Sequence, residues 1–154
     1  MIGLLQRVSA ARVIVDDDTV GAIDCGLLVL VGVESGDTAV EMEKLLERLL
    51  DYRVFADGDG KMNLSLRQTQ GGLLLVPQFT LAADTRKGLR PGFSTAAQPE
   101  TGRLLFEAMV ARARALHPRV AQGAFGEHME VTLTNDGPVT FWLQCCPQQN
   151  ARPG

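Results

Sequence analysis

Histidine is almost missing from this chain: among 154 residues only His117 and His128 offer an unperturbed base near neutral pH. His117 precedes Pro118 at the end of a predicted helix and His128 begins a predicted strand, so both read as structural or surface side chains. Cysteine is scarce as well. Cys25, Cys145 and Cys146 form neither an even set nor a metal-type spacing, and adjacent cysteines rarely pair with each other; reduced thiols are expected. There is no Ser/His/Asp order, no Gly-x-Ser-x-Gly elbow and no phosphate-binding glycine loop. With so few ligand-type side chains, no metal site and no cofactor are expected. No apolar run nears the ~20 residues of a membrane helix. The opening Met1-Ile2-Gly3-Leu4-Leu5-Gln6-Arg7 has no basic flank, long apolar region or small-residue cleavage site, so it is not read as a signal peptide. A cytoplasmic protein is expected. A dominant charge is also absent: 15 basic against 18 acidic residues give −3, with no global basic signature of nucleic-acid binding.

What is present is 45% hydrophobic residues in a chain the length of one ordinary domain, enough to bury a core without staples. Ile2 to Val15 reads as strand, and Asp16-Asp17-Asp18 supplies a turn into Val20-Gly21-Ala22-Ile23. Leu27 to Val33 is continuously apolar, as expected of a central strand buried on both faces. Thr38-Ala39-Val40-Glu41 has the form of a capping box opening a helix whose apolar face is read as Val40, Leu45, Leu46, Leu49 and Leu50. Val54-Phe55 and the residues after Lys61 flank Asp57-Gly58-Asp59-Gly60, read as a plain turn because it lacks the twelfth-position ligand of a calcium loop. Pro99 and Glu100 suit the start of a second helix, with Leu104, Leu105, Ala108, Met109 and Leu116 at helical spacing and an end at or before His117. Met129, Val131 and Leu133 alternate, then Asn135-Asp136-Gly137-Pro138 makes a turn before Val139, Phe141 and Leu143. From spacing alone the Gly137-Pro138 bond is trans by default. About eight strands and two helices make an α+β domain over residues 1–146, with a disordered tail from Pro147.

The candidate site is the run Leu73 to Leu81, where an apolar strand turns polar at Gln78 and Thr80. A buried polar group left unpaired costs about 1–3 kcal/mol, so these two must have partners. Pro77 cannot donate to a ladder and belongs at a strand edge, end or bulge. Directly after this stretch, Arg86, Lys87 and Arg90 either meet phosphates or form a solvated loop.

Val76-Pro77-Gln78-Phe79-Thr80-Leu81-Ala82 and Asn135-Asp136-Gly137-Pro138-Val139-Thr140-Phe141 resemble the two signature motifs of the D-aminoacyl-tRNA deacylases, also called D-tyrosyl-tRNA deacylases, which run Ser-Gln-Phe-Thr and Gly-Pro-Val-Thr. Gln6-Arg7-Val8, Lys61-Met62-Asn63-Leu64 and Arg90-Pro91-Gly92-Phe93-Ser94 add to the resemblance, which spans almost the whole chain to Cys145. Pro77 stands where the family usually has serine.

The resemblance implies a single domain whose mixed sheets form a barrel-like core, and a homodimer with active sites at the subunit interface. It implies hydrolysis of the ester joining a D-amino acid to the terminal adenosine of tRNA. Backbone N–H groups around Phe79 and Thr80, with Gln78 beside them, would polarise the ester carbonyl while the ribose 2′-hydroxyl helps activate water. Another version makes the Thr80 hydroxyl the nucleophile, but nothing nearby in sequence would deprotonate it. Gly137 and Pro138, cis in the family, would enter the partner's pocket and exclude an L side chain, which leaves glycyl-tRNA acceptable. Arg7 would hold that turn through its guanidinium donors; spacing alone instead pairs Arg7 with a surface carboxylate. Pro77 favours a second reading, a non-catalytic tRNA-end binder or editing-type module. A third is a structural dimer in which the Gln-Phe-Thr stretch only completes an interface.

Overall fold

The 14-residue strand β1 (Ile2–Val15) pairs along both of its edges. In the computed structural model, which describes residues 1–147, it forms an antiparallel hairpin with β2 (Asp18–Ile23) and pairs through its first half with β3 (Gly26–Gly32). Along its other edge lies β8 (Glu130–Gln144). Beyond β3 the sheet continues in parallel through β6 (Gly72–Pro77) and β7 (Val120–Gln122), giving the order β2-β1-β3-β6-β7. The far edges nearly meet. A Cβ added at Gly21 of β2 would lie 2.4 Å from the Gln122 carbonyl oxygen of β7, so the sheet curls into an almost closed barrel. Gly21→Ala is expected to force this seam apart at a cost of about 2–3 kcal/mol, a fall in Tm of roughly 4–12 °C in a thermal melt.

The unbroken apolarity of β3 has the predicted meaning. Leu27, Val29 and Val31, with Leu73 and Leu75 of β6, belong to the core under helices α1 (Ala39–Asp51) and α3 (Pro99–Leu116). Leu28, Leu74 and Val76 point the other way, into the barrel interior with Val8, Ala11 and Val13. Alternation along two parallel strands therefore feeds two cores at once. The result is a single α+β domain with a barrel-like mixed sheet.

Helix α1 starts at the predicted capping box: Thr38 N–H donates to the Glu41 carboxylate at 2.9 Å, and Val40 N–H donates to Thr38 Oγ1 at 3.2 Å. This box corrects the predicted face. Glu41 must fold back over Thr38 and is buried, Met42 joins the core, and Val40 is 56% exposed. The stripe of α3 is corrected in part: Met109 is buried and Leu105 and Leu116 pack against the core as expected, joined by Gly102, Phe106, Val110 and Ala113, while Leu104 and Ala108 are exposed. Helical spacing admits either rotation of the face, and packing on the sheet centres it on Phe106. A third, one-turn helix α2 (Leu66–Thr69), capped by Ser65, adds to the two expected.

The short strands β4 (Phe55–Ala56) and β5 (Met62–Leu64) flank the predicted Asp57 turn, whose carboxylate accepts from the Asp59 and Lys61 N–H groups and the Asn63 amide. His117 ends α3 as a buried residue with Nε2 2.6 Å from the Gly71 carbonyl, whereas His128 is exposed before β8. The three cysteines are free thiols. Among the described residues no helix is long and apolar enough to cross a membrane. The tail expected to be disordered lies, beyond Pro147, outside the described residues.

Candidate active site

Strand β6 stops earlier than its apolar run suggests. It ends at Pro77, and Phe79–Ala82 coil into one 3₁₀ turn, so the expected buried strand through Gln78 and Thr80 is corrected: Gln78 is half-buried, Phe79 and Thr80 exposed. Proline explains where the ladder breaks. Even-numbered N–H groups of β6 face β3, as Gln78 N–H donates to the Val31 carbonyl at 2.8 Å; odd-numbered ones face β7, as Leu73 N–H donates to Arg119. Position 77 looks toward β7 just past its last residue, Gln122, so the missing N–H forfeits no ladder bond there. β6 is an interior strand, and Pro77 marks its end rather than a sheet edge.

The turn leaves its first amides free. Leu81 N–H donates to the Gln78 carbonyl and Ala83 N–H to that of Thr80, but among the described residues the Phe79 and Thr80 N–H groups have no acceptor. Such orphan donors at the start of a helical turn await an oxygen from elsewhere. Gln78 Nε2 donates to Thr80 Oγ1, so the two polar side chains satisfy each other. A carboxamide is no base in either orientation, and among the described residues Thr80 has no carboxylate or imidazole partner.

Three concavities meet at Gln78–Thr80. One, of about 220 Å³, is apolar and lined by Val31, Pro77, Gln78, Phe79, Phe106 and Phe125. A second, of about 300 Å³, shares the Pro77–Phe79 wall and Phe125 and opens past Glu127 and His128. The third is a groove of about 800 Å³ running from Thr80 past Glu34 and Arg86 to Trp142 and Gln144. The Phe79 ring leans on Phe93, with centroids 5.1 Å apart, which ties the turn to the loop that follows. That loop closes as Asp84 and Gly92 exchange backbone hydrogen bonds of 2.7 and 3.0 Å. Within it Arg86 is engaged: its Nε and Nη2 donate to the Asp84 carboxylate at 2.8 Å each, which holds that carboxyl well below its usual range. Among the described residues Lys87 and Arg90 make no ion pair. Nothing in the basic run announces Asp84 except its place two residues before Arg86.

The Asn135–Pro138 segment is not the chain reversal that its composition suggests. Gln6 pairs with Thr140 and Val8 with Asn135, so only Arg7 on β1 faces residues 136–139, and β8 runs on in the same direction beyond them. Four residues against one form an outward bulge. Its tip is exposed, and the Gly137-Pro138 peptide is cis, as the family resemblance implies and unlike the default from spacing. A Cβ at Gly137 would sit 2.3 Å from the Val139 nitrogen, so a larger residue cannot occupy the tip without moving the loop's own backbone. Arg7, half-buried beneath, donates from Nε to the Asp136 carbonyl at 2.8 Å and from Nη1 to the Val54 carbonyl at 2.6 Å. The Asp136 carboxylate is farther away, at 3.4 Å. Both readings of Arg7 thus hold in part, with the carbonyl contact the shorter.

Within one chain the two motifs stay apart. Arg7 is level with Leu27 of β3 and Leu73 of β6, five residues from Gln78 and so about 16 Å away along the strand. Arg7, Gly137 and Pro138 line none of the three concavities at the turn.

With this geometry in place, comparison with known proteins is direct. The family model described as D-Tyr-tRNA(Tyr) deacylase matches residues 4–144. The chain belongs to that deacylase family. A D-aminoacyl-tRNA deacylase of Thioalkalivibrio sulfidiphilus is 61% identical over 147 residues, covering 96% of this chain and 99% of that protein. One from Pseudomonas fluorescens is 64% identical over 144 residues, covering 94% and 99%. Among solved structures, one named c-Myc DNA Unwinding Element Binding Protein superposes with a TM-score of 0.91 at 34% identity, covering 96% of this chain and 100% of that one. A probable eukaryotic D-amino acid tRNA deacylase, at 19% identity and a TM-score of 0.76, shares the fold. The deacylase match takes in both the turn at Gln78–Thr80 and the bulge at Gly137-Pro138.

Proposed function

We propose that this chain is a D-aminoacyl-tRNA deacylase: it hydrolyses the ester between a D-amino acid, or glycine, and the terminal adenosine of tRNA, and spares the L ester. The observation that carries this reading is the pair of N–H groups at Phe79 and Thr80 that have no acceptor among the described residues, exposed where three concavities meet, in a chain over 60% identical to proteins of that name. The apolar cavity suits the planar base of the terminal adenosine. The ester carbonyl then reaches the two amides, which stabilise the negative charge that grows on its oxygen. Water adds to the carbonyl carbon with help from the ribose 2′-hydroxyl, the bond to the ribose oxygen breaks, and that oxygen takes the proton. An aminoacyl ester is already activated, so orientation, which contributes up to about 7–11 kcal/mol in well-aligned reactions, and oxyanion binding suffice without a histidine base.

The separation of Gly137-Pro138 from the turn supports a homodimer in which each copy's bulge enters the other copy's site. There its carbonyls crowd the space that an L side chain would fill, and selection works by exclusion. Lys87 and Arg90 are the residues of the basic loop that reach RNA phosphates, with Arg86 serving to order the loop through Asp84. A substrate that serves translation supports a cytoplasmic location. The binder reading is not favoured, because Pro77 removes no donor from the turn and the relatives bear a hydrolase name.

The test is hydrolysis of matched D-tyrosyl-tRNA, L-tyrosyl-tRNA and glycyl-tRNA by metal-depleted protein whose mass in solution is measured in parallel. Loss of the D and glycyl esters with the L ester spared, from a particle of two chains, is the expected result. A folded dimer that cleaves none of them returns the binder reading, and equal loss of D and L esters overturns selection by exclusion.

A further inference from the structure

The bulge that carries Gly137 and Pro138 is closed at its neck by one side chain. Asn135 is the last residue before the four-residue excursion and Thr140 the first after it, and each is back in register with β1. Asn135 Oδ1 accepts from the Val139 N–H at 2.8 Å while its Nδ2 donates to the Val139 carbonyl at 3.1 Å, so one carboxamide holds both polar groups of the same residue. Nδ2 also donates to Thr140 Oγ1 at 3.0 Å, and Gln6 Nε2 reaches that hydroxyl from β1 at 3.3 Å. Bulged residues lose their ladder partners, so these are the bonds that replace the ladder across the neck. Arg7 secures the opposite side of the loop through the Asp136 carbonyl. Residues 136–138 are exposed, whereas Val139 is buried and serves as the fixed end against which Asn135 pulls the loop shut.

We infer that Asn135 is a positioning residue for stereochemical selection: it fixes where the Gly137 and Pro138 carbonyls stand, without touching substrate. The inference rests on the reading above, in which this loop excludes the L side chain. Exclusion demands rigidity. A loop that yields by a few tenths of an ångström admits what it should reject, whereas acceleration of the D ester depends on amides at Phe79 and Thr80 in a different part of the fold. Loosening the neck therefore acts on selection and leaves D turnover in place.

The experiment compares kcat/KM for D- and L-tyrosyl-tRNA in the wild type, Asn135→Ala, Asn135→Asp and Thr140→Val, with thermal melts and solution mass for each. Asn135→Ala loses every neck bond of this side chain. Its D-to-L ratio is expected to fall roughly tenfold or more, tenfold being the low end for losing three neutral hydrogen bonds, through a rise in L hydrolysis while D hydrolysis stays within about threefold. Asn135→Asp keeps an oxygen for the Val139 N–H and forfeits the two donors, so it should lie between. Thr140→Val removes the acceptor of Asn135 Nδ2 and Gln6 Nε2 but leaves both Asn135 bonds to Val139, so it should shift the ratio least, and it carries the comparison if Asn135→Ala does not fold. Wild-type selectivity that survives unchanged in folded, dimeric Asn135 variants overturns the inference and leaves the exclusion reading intact. Equal loss of D and L turnover together with a lowered Tm assigns Asn135 a purely structural role and also overturns it. A wild type that fails to discriminate overturns the exclusion reading itself.

Discussion

Phe79→Pro is expected to lower hydrolysis of D-aminoacyl-tRNA about 100- to 1000-fold below the level of Phe79→Ala, the effect of deleting one oxyanion donor. The two substitutions share the loss of the ring and of its contact with Phe93; they differ in the N–H. Proline is structurally admissible here. Phe79 opens a 3₁₀ turn, where proline's φ fits and where the N–H has no acceptor among the described residues to lose. Gln78, at φ −143° and ψ 79°, lies outside the α region that a following proline disfavours. Melts of both variants should therefore superpose closely. Thr80→Val completes the set: with amides as the catalytic donors it retains activity within about tenfold, since it removes a hydroxyl whose partner is Gln78. Equal rates for Phe79→Pro and Phe79→Ala, combined with an inactive Thr80→Val, would transfer the chemistry to the Thr80 hydroxyl.

Asp37→Ala is expected to cost about 3–5 kcal/mol, a fall in Tm of roughly 6–20 °C in a chain of this length. The Met1 ammonium and the Asp37 side chain are both fully buried, with nitrogen and Oδ1 2.7 Å apart. Glu34 Oε2 and the Cys145 carbonyl complete the ammonium's partners at 2.9 and 2.7 Å, and Asp37 Oδ2 also accepts the Glu34 N–H at 2.7 Å. Removing Asp37 leaves a buried cation short of a counter-charge and an amide without its acceptor. The same corner borders the groove at Thr80, because Gln144 Nε2 donates to Glu34 at 2.8 Å and both residues line that groove.

Acid sharpens the Asp37 prediction. Burial raises the Asp37 carboxyl above its ordinary value, against the opposing pull of the ammonium and the Glu34 amide. A carboxyl whose folded value exceeds its unfolded one contributes most stability below about 3.8, and that contribution is lost as pH rises through the folded value. The penalty of Asp37→Ala should therefore be undiminished on going from pH 7 to pH 4. A penalty that disappears by pH 4 would mean the ammonium dominates and holds the carboxyl low. Glu41 and Asp57 have the opposite sign. Hydrogen bonds, chiefly from the Thr38 hydroxyl and the Asn63 amide respectively, hold them below their usual range, so their contributions are present above it and fade as acid approaches the folded values.

Local chemistry is what the sequence by itself determined. The unbroken apolar run of β3, the capping box at Thr38, the turn at Asp57 and the helix end before Pro118 each depend on residues within one or two turns of one another, so pattern and propensity suffice. The two motifs carried the family for the same reason, since they are short strings read without knowing where they lie in space. Where several local answers were equally good, the tertiary structure decided. The sheet centred the buried face of α3 on Phe106 and left Leu104 in solvent, and the early end of β7 let β6 break at Pro77 and expose Phe79 and Thr80. Pairing with β1 turned a composition typical of chain reversal into a bulge, because Gln6 and Val8 are claimed by Thr140 and Asn135 and leave Arg7 alone opposite four residues. The contacts among Arg7, Val54 and Asp136 and the Met1–Asp37 ion pair join positions 36 to 129 residues apart in the chain. No local spacing encodes them, since they exist only once the barrel has closed and excluded the water that would otherwise satisfy each group.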